Sequence, residues 1–221
     1  MFIQLVLVIF ISFNFLQAEK VFIKESNLIY KKVPFFFILK SKPFYIDKYE
    51  TTCGDIEKIC LKVKCSNDIK NLCSIYDTKE TPIYSISYKE AEFICKAKGG
   101  RLPTEIEWMI AAGVKNNKFY KYGNVNIKNI DNFLSEVNLT QKNINGLYGI
   151  IGNVSEIVQS KGDIAVLKGG SFFDVDKKLC LKNNCYYLFD IRLKHKILKK
   201  YLKSLNSVGV RCVYEGRYYN K

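Results

Sequence analysis

The sequence predicts an α+β domain made of short helices, small sheets and long irregular loops. Two capping boxes, Ser87 to Glu90 and Thr104 to Glu107, each open a short apolar stripe of helical period. Runs rich in aromatic and β-branched residues recur along the chain as separate strand-like pieces. Between them lie polar stretches punctuated by Asn and Gly, which read as loops. No Pro/Gly/Ser-rich linker and no internal repeat divides the chain, so one domain is expected.

Taken in order, residues 1–18 (MFIQLVLVIFISFNFLQA) are uncharged and mostly apolar and end at Ala18, directly before Glu19 and Lys20. They read as a signal peptide, which makes the chain an exported one. Ser12, Asn14 and Gln17 interrupt the apolar run, and no later apolar run is long enough to cross a bilayer, so no transmembrane anchor is expected after cleavage. Residues 19–33 form a lead segment, and the domain proper is expected over 34–221. Within Phe35 to Thr52, Pro43 separates two strand-like runs, most simply the arms of a hairpin or neighbouring strands.

Cys53, Cys60, Cys65 and Cys73 follow in C-x6-C-x4-C-x7-C spacing. Zinc sites usually show tight C-x2-C pairs with histidines nearby, whereas the one histidine of this chain, His195, is far away. Two disulfides stapling a Cys-rich excursion over 53–73, with pairing left open, are the better reading. The two capping boxes then start helices at about Tyr88 to Lys98 and from Thr104 to before Gly113, meeting at the turn Gly99-Gly100-Arg101-Leu102-Pro103. Further strands are expected at Ile164 to Lys168, Cys185 to Phe189 and Val208 to Tyr214, and a basic amphipathic helix at Lys194 to Lys203.

The formal net charge of +14 is carried almost wholly by lysine, since only Arg101, Arg192, Arg211 and Arg217 are arginines. No basic stripe is interleaved with stacking aromatics, which argues against nucleic acid as partner and for a solvated lysine surface or attraction to anionic lipid. No motif ties His195 to a hydroxyl or thiol, so Ser-His-Asp and Cys-His catalysis find no support.

The collinear blocks FYIDKYETT, TPIYSISYKEAEFICKAKGGRLPTEIEWMIAAG, YGN, GLYGIIGNVSEIV, LKGGSFF and VGVRCV, from Phe44 to Val213, resemble the formylglycine-generating-enzyme, or sulfatase-modifying-factor, family. Gly100 to Trp108 is the most specific of them. The resemblance implies an irregular C-type-lectin-like fold with small twisted antiparallel sheets, and a core disulfide between Cys95 and Cys212. It also implies calcium held by the backbone of Gly152 and Val154 and the carboxylate of Glu156, with Gly149 standing where an asparagine ligand is expected. Asn132 matches a ligand of a second calcium site. The same residues admit another reading, loop-organising hydrogen bonds without metal.

Active members resembling this chain bind Cu(I) through two cysteines in C-x4-C spacing shortly after GGS, and use molecular oxygen to convert a cysteine of a sulfatase-like protein to formylglycine. Here Asp174 stands where the first of those cysteines is expected. Cys180 and Cys185 have the right spacing six residues later, either as a displaced copper pair with Ser171 lining the oxygen pocket or as a plain local disulfide. Ser155 and Ser207 replace a tryptophan and an asparagine common in the family. The favoured reading is therefore an exported, periplasmic or secreted bacterial protein that is non-catalytic and binds a protein or cell-envelope partner. The alternative is the copper- and O2-dependent oxidase.

Overall fold

Pro43, which lacks a backbone N–H, divides the N-terminal aromatic run between two different sheets. In the computed structural model, which describes residues 19–24, 26–32, 35–74, 78–113, 133–161, 164–172, 190–194 and 207–215, β2 (Ser26–Lys32) and β3 (Phe35–Ser41) form an antiparallel hairpin of their own. Beyond Pro43, β4 (Phe44–Asp47) lies between β1 (Lys20–Ile23) and β9 (Val213–Glu215). The two runs around Pro43 therefore do not pair with each other. Within residues 19–33, β1 and β2 supply one strand to each of these sheets.

A third sheet has the order β7-β6-β5-β8, from β5 (Ser155–Lys161), β6 (Ile164–Lys168), β7 (Asp190–Lys194) and β8 (Val208–Gly209). Its β5–β8 pair is parallel, so the sheets are not all antiparallel as expected. The single strand expected at Val208 to Tyr214 is split, with Val210 to Cys212 bridging β8 and β9. The expected strand Cys185 to Phe189 lies outside the described residues, as do most of the expected helix Lys194 to Lys203 and the signal segment.

Four helices complete the described residues: α1 (Cys53–Lys62), α2 (Asn67–Asn71), α3 (Tyr88–Ala97) and α4 (Glu105–Ala111). Both expected capping boxes form, with Ser87 and Thr104 accepting from the N–H of Glu90 and Glu107 and each glutamate reaching back to its cap. The Cys-rich excursion is itself helical. Thr52 and Asp55 make a third capping box at the start of α1, Ser66 caps α2, and the pairings are Cys53–Cys73 and Cys60–Cys65.

Side-chain alternation along the strands splits the apolar interior in two. Val158, Val166, Ile46 and Val213 face a cluster built on Trp108, Leu147 and Ile150. Their chain neighbours Ile157, Leu167, Tyr45 and Tyr214 face a second cluster with Ile83, Ile86, Ile94 and the α1 residues Ile56 and Ile59. A sheet buried on both faces fixes its own register, since a one-residue slip would exchange the two sets. Cys95 of α3 and Cys212 are joined inside the second cluster, with Cα atoms 5.3 Å apart.

Candidate functional site

The Gly-Gly-Arg-Leu-Pro turn explains why so specific a segment is needed. A Cβ on Gly100 would lie 2.5 Å from the Val213 carbonyl oxygen, so only glycine lets the turn lie against β9. Arg101 then exchanges both backbone hydrogen bonds with Val213, at 2.9 Å each. Its guanidinium grips the carboxylate of Glu107 with two bonds of 2.8 and 2.7 Å. This aims α4 so that Trp108, fully buried, donates from Nε1 to Glu156 Oε2 at 2.6 Å.

Glu156 is thus reached from one side by Trp108 and from the other by Arg211. Arg211 Nε donates to Oε1 at 2.8 Å, and Nη2 lies 2.8 Å from the same oxygen. Nη1 donates to the carbonyls of Asp47 and Lys48, and Nη2 to that of Tyr148. Both side chains are buried completely.

Glu50, which the sequence reading passed over, lies beside them, 1 % exposed. Its oxygens accept from Asn153 Nδ2 at 2.7 Å and from the Val154 N–H at 3.1 Å. Burial pushes its carboxyl up to about 8, with Arg211 pulling down and Glu156 adding to the rise. Burial likewise holds Glu156 above the usual carboxylate value, opposed by Arg211. Asn153 adopts a positive φ of 56° and ties the loop to Ser135, accepting from its N–H and donating to its carbonyl.

The structure sets Gly152 and Val154 in the loop that leads into β5, Glu156 at the start of that strand, and Ser171 beside the loop. Gly152 N–H donates to the Gly169 carbonyl at 3.0 Å, and Phe172 N–H to that of Asn153 at 2.9 Å. Ser171 has no exposed surface. The two substituted serines meet at the parallel strand pair, where the Ser155 N–H donates to the Ser207 carbonyl at 2.8 Å. Asn132, Asp174, Cys180, Cys185 and His195 lie outside the described residues.

These residues do not fit a calcium ion at Glu156. Both of its oxygens already accept hydrogen bonds, and the cation beside them is a buried guanidinium, which would repel a second one. Gly149 offers no side-chain oxygen, and the Glu50 carboxylate fills its place, 2.5 Å from where a Cβ would stand. Among the described residues no three His, Cys, Asp or Glu side chains converge on a point. Nothing in the sequence marked Glu50. Arg211 carried a faint signal, a charge inside the apolar run VGVRCV, because a buried guanidinium demands partners.

Comparison with known proteins agrees with this architecture. Residues 37–216 match the sulfatase-modifying factor enzyme 1-like domain. Two curated relatives are the inactive C-alpha-formylglycine-generating enzyme 2 of Bos taurus, 32 % identical over 45 % of this chain and 41 % of that protein, and its Mus musculus counterpart, 35 % identical over 45 % and 40 %. The match thus spans about two fifths of those relatives. Among solved structures, CarF superposes with a TM-score of 0.59 at 16 % identity, covering 90 % of this chain and 98 % of that one. PvdO from Pseudomonas aeruginosa does so with 0.59 at 15 %, covering 89 % and 94 %. Treponema denticola variable protein 1 gives 0.60 at 15 %, covering 88 % and 94 %. With its α+β fold and a family match over most of its length, the chain belongs to the sulfatase-modifying-factor, or formylglycine-generating-enzyme, family.

Proposed function

We propose that this chain is a non-catalytic member of its family, a bacterial protein exported to the periplasm or secreted, that uses the fold as a binding module for a protein or cell-envelope partner. The observation that carries the reading is chemical: Asp174 follows the GGS turn where an active member places a thiol. A hard carboxylate is a poor ligand for Cu(I). The fully buried Ser171 and the Ser155 and Ser207 substitutions support it, and the related mammalian proteins are inactive by name. The three disulfides among the described residues mark an oxidising, extracytoplasmic compartment. No described helix is long and apolar enough to cross a membrane.

The test is the state of Cys180 and Cys185. Thiol labelling of the purified chain is expected to find no free thiol there, and incubation with a C-x-P-x-R peptide, copper and oxygen to give no aldehyde. Two free thiols, stoichiometric Cu(I) and the mass loss of formylglycine would establish the oxidase instead. The same reading holds the loop from Gly149 to Glu156 together by Arg211 and Glu50 in place of calcium. Calcium chloride or a chelator is therefore expected to leave the thermal midpoint unmoved, since a metal that binds only the folded chain would raise it.

A further inference from the structure

Two N-x-S/T triplets occur in the sequence, Asn138-Leu139-Thr140 and Asn153-Val154-Ser155. The triplet is the acceptor pattern for N-linked oligosaccharides in exported proteins. It is short enough to recur by chance, so the setting of each asparagine decides whether a glycan fits. The fold gives the two opposite settings. Asn153 is 5 % exposed, and its Nδ2 donates to Glu50 at 2.7 Å and to the Ser135 carbonyl at 3.2 Å. A saccharide on that nitrogen would have to enter the buried loop before β5 and leave the Glu50 carboxyl without its partner.

Asn138 stands in a surface turn, closed by the Leu139 N–H donating to the Glu136 carbonyl at 3.0 Å. The turn is well rooted. Val137 is buried, its N–H donates to the Glu80 carbonyl at 3.0 Å, and Thr140 Oγ1 donates to the Val137 carbonyl at 2.9 Å. Asn138 and Leu139 lie outward of this root, both exposed. A glycan on Asn138 therefore extends into water and can screen the neighbouring leucine. Glu136, two residues before Asn138, adds a third mark, because bacterial N-glycosyl transferases also read an acidic residue at that place, through a charge-assisted contact. Before Asn153 the same place holds Ile151.

We propose that Asn138 is an N-glycosylation site, read by a bacterial oligosaccharyl transferase through Glu136, Asn138 and Thr140. This rests on the export reading, which delivers the chain to the compartment where such transferases work. The donor is an oligosaccharide carried on a lipid diphosphate. Asn138 Nδ2 forms a bond to the anomeric carbon while the bond from that carbon to the diphosphate oxygen breaks. The lipid diphosphate leaves with the electron pair, and one amide proton passes to a carboxylate of the transferase. The transferase meets the chain as it emerges, before the turn closes around Val137, and folding then leaves the glycan outside.

The test is tandem mass spectrometry of the full chain purified from the cells that make it, digested to peptides. The peptide carrying Asn138 is expected to bear a saccharide mass placed on that residue, the Asn153 peptide is expected to be unmodified, and the chain is expected to begin at Glu19. Expressed in the same cells, Asn138→Gln and Thr140→Ala should each lose the added mass, and Glu136→Gln should lose most of it. All three positions lie in the surface turn, so the variants are expected to keep the circular dichroism spectrum of the parent, which separates lost glycosylation from lost folding.

An unmodified Asn138, a glycan on Asn153 of the folded chain, or an Asn138→Gln chain that keeps the saccharide mass would each overturn the proposal. A Glu136→Gln chain modified like the parent would overturn the reading through Glu136. A chain that begins at Glu19 with Asn138 bare would sink the glycan alone and leave export standing, whereas a chain that retains residues 1–18 would sink export itself. None of these outcomes touches the thiol and aldehyde measurements, so the glycan and the non-catalytic reading fail separately.

Discussion

Arg211 makes four hydrogen bonds, to Glu156, Tyr148 and the adjacent carbonyls of Asp47 and Lys48, and its Nη2 also lies within ion-pair distance of Glu156. One side chain thereby ties the end of β4, the glycine-rich loop and the start of β5. Arg211→Met is expected to destabilise the chain by about 3–5 kcal/mol, because it strands Glu156 as a buried charge without its cation. A urea midpoint close to that of the parent would show that the guanidinium is not the tie. Glu50 acts on the same loop from the opposite side. Its carboxylate occupies the volume that any side chain at Gly149 would need, and Gly149 itself sits at a φ of +62°.

At the scale of elements, α4 depends on a single carboxylate with two tasks. Glu107 closes the capping box and receives the fork of Arg101. Burial raises its pKa, but the Arg101 and Thr104 hydrogen bonds outweigh burial, and the net shift is downward. A depressed carboxylate contributes stability that is complete above its unfolded pKa of about 4.3 and is lost as the pH falls through the lower folded value. Glu107→Gln keeps a residue that can close the box and removes the charge. Urea midpoints measured down through pH 4 should therefore fall less steeply in the variant than in the parent. The boxes that start α3 and α4 were legible because Ser and Thr with a glutamate three residues on leave few other readings. The box that starts α1 was not, since Thr52 is followed by Cys53 and Gly54, poor helix formers that pointed to a stapled loop. Strand β5 was missed for a related reason: its sequence SEIVQSK looks polar, yet Ser155 and Glu156 are buried by partners far away in sequence. Likewise the split at Pro43 is set by pairings with β2 on one side and with β1 and β9 on the other, which no local window displays.

For the whole molecule, the bridge between Cys95 and Cys212 closes a span of 117 residues that holds α4, the loop, the GGS turn and the third sheet. Replacing both cysteines by alanine is expected to remove about 4–5 kcal/mol of stability by the chain-entropy estimate, read from the urea midpoint. The family's fold was legible from collinear motifs, whereas the burial of Glu50 against Gly149 was not, because it joins residues a hundred positions apart. A last consequence comes from Lys98, which caps α3. It is buried and paired with Asp47 of β4 at 2.8 Å and with Asp55 of the α1 capping box at 3.2 Å. Burial works against its charge, but the two carboxylates prevail and its pKa is raised. Opening α1 would leave that ammonium facing one carboxylate in an apolar setting, so the Cys-rich excursion and the core should come apart together. In hydrogen–deuterium exchange, the mid-helix amides of α1 would then keep pace with those of α3 and trade their protons only when the entire chain unfolds.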